Sequence, residues 1–191
     1  MARITLADPA DLPPEKRSLL DSLSDADDAV VDHDLEGGTL NVYRALGRNL
    51  PILEGFRDFG GAVWHGSDLE PVERELVILA TSYHTDMRYE WHQHVRVALD
   101  EGISPETILA VSMDRLDELD PEHARLVEYV EHFVAKDVDD ETHERLAAHY
   151  DEATIVGIGM LSGLYLGLAH VLDALAVDLE APFVGWELEN L

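Results

Sequence analysis

Apolar residues recur at helical spacing along most of the chain, and no segment alternates long enough to read as a strand. Pro13 and Pro14 ahead of EKRSLLDSL predict a first helix opening on proline, and the acidic run at 22–36 predicts a solvated connector. Leu40, Val42, Tyr43 and Leu46 mark the next helix, and Pro51 opens another whose face carries Ile52, Leu53, Phe56 and Phe59. SDLEPVERELVILATSYH predicts a long helix entered at Ser67 or Asp68. MRYEWHQHVRVALDEG predicts its successor, capped by Asp86 and stopped at Gly102. Shorter helices are expected in ISPETILAVSM and at 141–150, with an amphipathic one over 121–135.

The segment at about 152–176 is apolar nearly all round, which predicts a helix buried by several neighbours. Gly159, Gly163 and Gly167 form a stripe along it that would let another backbone approach, in the core or at a subunit seam. The tail APFVGWELENL reads as irregular, anchored by Phe183 and Trp186. The class is all-α and the chain one domain, divided into an N-terminal helix and connector (1–36), a main body (37–177) and a C-terminal tail (178–191).

Charge changes the picture. Forty acidic residues against thirteen basic ones give a net charge of −27, and Lys16 and Lys136 are the only lysines. Self-repulsion of this size destabilises a compact state unless salt screens it, so a halophilic, cytoplasmic setting is expected. Nucleic acid is not an expected partner, because little here would neutralise phosphates. No membrane span is expected either: the uncharged run TIVGIGMLSGLYLGLAH falls short of the roughly 20 residues a crossing needs. The chain has no cysteine, which removes disulfides, zinc–thiolate sites and thiol-based peroxidase chemistry.

The candidate chemistry lies in MRYEWHQHVRVA, residues 87–98. Glu90 and His94 are one helical turn apart on one face, while His92 points away, so His92 and His94 cannot chelate a common metal. Two ligands are too few, and no metal or other cofactor is expected. Glu75 on the preceding helix is flanked by Leu76, Ile78 and Leu79, with Tyr83 two turns on, and a short connection would bring it opposite His94. From residue types alone, an ordinary surface Glu–His pair and packing roles for Tyr89 and Trp91 are the commoner outcome.

The same residues resemble the carboxymuconolactone decarboxylase family, whose fold is shared with AhpD-like alkyl hydroperoxidases. The hydroperoxidases carry a glutamate, eleven residues, a C-x-x-C pair, and a histidine four beyond. Here that register reads Glu75, Met87, Glu90, His94, with Tyr89 matching the histidine between the cysteines. ERELVILATS, YEWHQHVRVALDEGIS and the glycine-rich last helix extend the resemblance over about residues 37–177. Glutamate at the second cysteine position resembles the decarboxylase branch.

The resemblance implies an AhpD-like multi-helix bundle, assembled as a homotrimer or homohexamer, that acts as a lyase on a small molecule. The implied reaction is decarboxylation or related proton transfer on a carboxylated lactone or enol acid, catalysed by Glu90, His94 and Glu75. Tyr89, Trp91, Met87 and Tyr83 are the expected substrate-binding residues. The alternatives are a lactone hydrolase and a non-catalytic binding or oligomeric scaffold.

Overall fold

The computed structural model describes residues 2–21 and 39–191. The described residues form helices, turns and loops, with one isolated antiparallel bridge between Asp21 and Thr39. Eight α-helices follow in order: α1 (Asn41–Leu46), α2 (Leu50–Gly66), α3 (Pro71–His84), α4 (Arg88–Asp100), α5 (Pro105–Ser112), α6 (Pro121–Ala135), α7 (Asp140–Ala147) and α8 (Glu152–Leu175). The expected acidic connector at 22–36 lies outside the described residues. The expected first helix is a 3-10 segment, Pro14–Leu20, whose buried Leu20 anchors it.

Helix starts follow capping chemistry in some places and tertiary demands in others. Ser104, Asp139 and Asp151 each accept a hydrogen bond from the backbone N–H three residues on, opening α5, α7 and α8. α3 departs from expectation: it begins at Pro71, not at Ser67 or Asp68. Asp68 is left-handed (φ 55°), and the Ser67 backbone crosses α8 at Gly157, where a Cβ would sit 2.5 Å from the Ser67 carbonyl oxygen. The 67–70 link is therefore committed to that crossing before the proline can start the helix.

Asp86 does not cap α4. It is also left-handed (φ 52°) and ends α3, with the Met87 N–H donating to the Ser82 carbonyl at 2.8 Å. This tight reversal folds α3 and α4 back on each other. Ser82–Met87 and Glu75–His94 are then centred on the same point, between His84 and Thr85.

α3 is the central helix. Arg74 through Ser82 are all buried, and it packs on α4, α5, α6 and α8. α8, expected to be enclosed, is not. Its Ile158, Leu161, Ser162 and Leu172 face inward, while Val156 (65% exposed), Met160 (46%) and Val171 (42%) face out. Composition gave α8 no polar face to show where its packed side ends. α8 is long and apolar enough to cross a membrane by length and composition, yet here it packs on α2, α3, α4, α6 and α7. Within the chain the glycine stripe does not provide the close approach: a Cβ at Gly159 or Gly163 would meet only the Phe133 ring, and one at Gly167 would meet nothing. Gly157, outside the stripe, provides it.

Two apolar cores result. The larger joins Leu76, Ile78, Leu79, Trp91, Val95, Leu126, Val130, Ile158 and Leu161. The smaller joins Leu20, Leu40, Val42, Tyr43, Leu53, Met87, Tyr89 and Leu172. α4 contributes Tyr89 to one core and Trp91 to the other, so Glu90 lies at their seam.

Candidate active site

The α3–α4 hairpin brings the two predicted helices' polar residues together inside the protein. Glu75 is fully buried, Glu90 is 5% exposed and His94 8%. His94 Nδ1 lies 2.8 Å from Glu75 Oε2. A carboxylate can only accept, so Nδ1 carries the proton and Nε2 points its lone pair the other way. At Nε2 the nearest groups are the Tyr165 hydroxyl, 3.0 Å away, and Glu90 Oε2 at 3.7 Å. With neutral His94 the Tyr165 hydroxyl donates to Nε2; once the ring is protonated, Nε2 becomes the donor.

Several further residues enclose this chain of groups. Tyr165, on α8, meets the imidazole edge-on with ring centroids 5.1 Å apart. Trp64 of α2 stands 6.3 Å from the imidazole and carries the Arg74 guanidinium on its face at 4.0 Å. Arg74 Nε in turn lies 3.9 Å from Glu75 Oε1. Glu75 Oε1 and Glu90 Oε1 are buried without a hydrogen-bond partner among the described residues. Unpaired buried oxygens are costly and uncommon, and they point to a place where a ligand or water completes the site.

The electrostatics follow from burial and neighbours. Burial pushes the Glu90 carboxyl up to about 7; His94 opposes this and the Glu180 charge adds to it. Burial alone would hold His94 uncharged. The Glu75 carboxylate, through charge and hydrogen bond, and then Glu90 outweigh it, so His94 is raised above its ordinary value. Burial and the Glu90 and Glu75 charges keep Tyr165 a neutral phenol. The site thus holds an acid that titrates near neutrality beside a stabilised imidazolium, a pairing suited to proton transfer.

The expected substrate-binding residues fare differently. Tyr89 is buried in the smaller core. Its hydroxyl donates to Glu180 Oε1 at 2.6 Å and accepts from the Val42 N–H at 3.0 Å. Met87 shares that core. Trp91 and Tyr83 turn to the C-terminal tail instead. Trp91 Nε1 donates to the Gly185 carbonyl, and both rings pack on Trp186, at 5.0 and 5.6 Å. One residue's offset along the helix sends Trp91 to the larger core, away from Glu90. A separate cavity of about 340 Å³ beside the tail, lined by Arg88, Phe183, Trp186 and neighbours, shares no residue with the Glu75–His94–Glu90 cluster.

His92 is held elsewhere: its Nδ1 accepts from the Val184 N–H at 3.1 Å. Among the described residues no three His, Cys, Asp or Glu side chains converge to hold a metal.

Tyr165, Trp64, Arg74 and Glu180 were not anticipated from sequence. Only Tyr165 left a signal, as a phenol within an otherwise uncharged apolar run, where a buried hydroxyl needs a partner.

Residues 51–120 match the Carboxymuconolactone decarboxylase family. No protein of curated function matches the sequence. Among solved structures, the alkylhydroperoxidase AhpD core protein of Ralstonia eutropha JMP134, an uncharacterized peroxidase-related protein, superposes with a TM-score of 0.78 at 17% identity, over 94% of this chain and 92% of its own. An uncharacterized peroxidase-related protein from Silicibacter sp. TM1040 gives 0.75 at 20% identity, over 95% and 93%. The debrominase Bmp8, in complex with 2,3,4-tribromopyrrole, gives 0.68 at 14% identity, over 75% and 78%. At these identities the likeness is one of fold.

Proposed function

We propose that this cysteine-free chain, whose residues 51–120 match the Carboxymuconolactone decarboxylase family and whose fold is AhpD-like, catalyses decarboxylation, or a closely related proton transfer, on a small carboxylated lactone or enol acid. The observation that supports this most directly is the buried relay from Glu75 through His94 to Tyr165 and Glu90, with Glu90 titrating at about 7. Loss of CO₂ leaves an electron pair that delocalises onto a conjugated carbonyl oxygen. The site must then donate to that oxygen and deliver a proton to carbon. The imidazolium of His94, favoured by Glu75, donates its Nε2–H to the Tyr165 hydroxyl, which in turn donates to oxygen. Glu90, which titrates at about 7 and so keeps a large protonated fraction at neutral pH, supplies the proton to carbon.

Peroxide reduction by thiol cycling needs cysteines, and the chain has none. The test is CO₂ release without added oxidant from unsaturated lactone acids by wild type, Glu90→Gln and His94→Ala. Each variant should lose about a hundredfold or more in turnover while keeping its fold. Full activity in either variant overturns the mechanism. Acid release in place of CO₂ would assign lactone hydrolysis instead, and ligand-induced stabilisation without turnover would assign a binding role.

A further inference from the structure

Arg57 has no assigned role; it stands two helical turns before Trp64 on α2, the helix whose Trp64 lies 6.3 Å from the His94 imidazole. Its guanidinium carbon lies 4.3 Å from the centroid of the Tyr43 ring. Its Nη1 is buried and has no hydrogen-bond partner, and no carboxylate pairs with Arg57 among the described residues. Arg74 and Arg115 also bury a guanidinium nitrogen without a hydrogen-bond partner, but each of them has a carboxylate within 4 Å. Acidic residues outnumber basic ones by forty to thirteen, so carboxylate partners are plentiful. A partly buried guanidinium donor left unpaired in such a chain is costly unless something else completes it.

The Tyr43 phenol pairs with Arg57 by charge and hydrogen bond and also feels the Glu90 charge. Glu90 Oε1 is a second buried atom without a partner.

We propose that Arg57, stacked on Tyr43, is the anion-binding residue of this site and takes one carboxylate of a small unsaturated acid. The planar guanidinium fork matches two carboxylate oxygens, and the Tyr43 face holds the fork in one orientation. Glu75 and Glu90 close by disfavour a more highly charged anion such as a phosphate ester. Pairing with a cation stabilises a carboxylate over the CO₂ it would become. The carboxylate held by Arg57 is thus an anchor that survives the reaction. The inference rests on the proposed reaction only for the site's location; an anchored lactone hydrolase would use Arg57 in the same way.

The test is a ligand-observed NMR titration of the full chain with furoate and with its methyl ester. Wild type should bind the acid at least about tenfold more tightly than the ester, since a charge-assisted hydrogen bond is worth that much. Arg57→Gln should lose the preference while binding the ester as wild type does, which also shows that the variant is folded. Arg57→Lys should keep part of the preference. Equal preference in Arg57→Gln and wild type overturns the proposal, as does a wild type that fails to favour the acid or binds neither probe. If the preference holds and depends on Arg57 while no CO₂ is released, the decarboxylation reading falls and the anion site stands.

Discussion

Glu90→Gln should make the protein more stable above neutral pH while inactivating it. Glu90 is 5% exposed, and burial moves its carboxyl from the ordinary 4.5 to about 7. Between those values the folded chain holds a proton that the unfolded chain has released, so stability falls as pH rises through this window and levels off above it. The shift corresponds to a cost of about 3 kcal/mol at pH 8 and little at pH 4. Glutamine has nearly the same shape and cannot ionise, so it escapes this cost and leaves one neutral polar group in place of another. The other acidic residues give wild type a large pH dependence of their own, but that background is common to both proteins and cancels in the difference. Denaturant unfolding of both, at several pH values from 4 to 8, should show the variant drawing ahead by a few kcal/mol, with the gain concentrated between about 4.5 and 7. A difference that stays constant across this range refutes the claim that Glu90 is a desolvated, proton-holding group.

Glu180 carries its effect to Glu90 from the tail. It accepts from the Tyr89 hydroxyl at 2.6 Å, the Asn41 N–H at 2.5 Å and Gln93 Nε2 at 2.9 Å, and its negative charge raises Glu90. Glu180→Gln removes that charge, so the Glu90 midpoint, read by carbon NMR of the carboxyl, should move down; an unchanged or higher midpoint contradicts the assignment. Gly157→Ala should cost about 1–3 kcal/mol, because the new Cβ would meet the Ser67 carbonyl oxygen at 2.5 Å and Cα at 2.7 Å, both backbone atoms. Gly163→Ala on the same helix meets only the Phe133 ring at 3.8 Å and should be neutral or slightly stabilising; thermal unfolding that ranks the two the other way breaks the argument.

The all-α class, the helix over 121–135 and the pairing of Glu90 with His94 on one helix face were legible in the sequence, because each depends on periodicity within a single segment. Glu75 opposite His94 was legible only in part. Its register rests on the left-handed Asp86 and the bond from the Met87 N–H to the Ser82 carbonyl, a reversal at a residue read from sequence as the cap of α4. Trp91 and Tyr83 show the limit from the other side. The family resemblance implied substrate-binding roles for them, and the tail residue Trp186 holds both in an aromatic cluster.

What the sequence determined by itself was local: which faces are apolar, where a helix can begin, which chemistry the absence of cysteine forbids. Tertiary structure decided the rest. It chose the packed side of α8, set Tyr165 at His94 Nε2, stacked Arg57 on Tyr43, stood Trp64 beside His94 and brought the Glu180 charge to bear on Glu90 from the tail. The reason is physical: periodicity specifies how a segment divides its own surface, whereas a pKa or an unpaired donor depends on how much water the other segments leave behind.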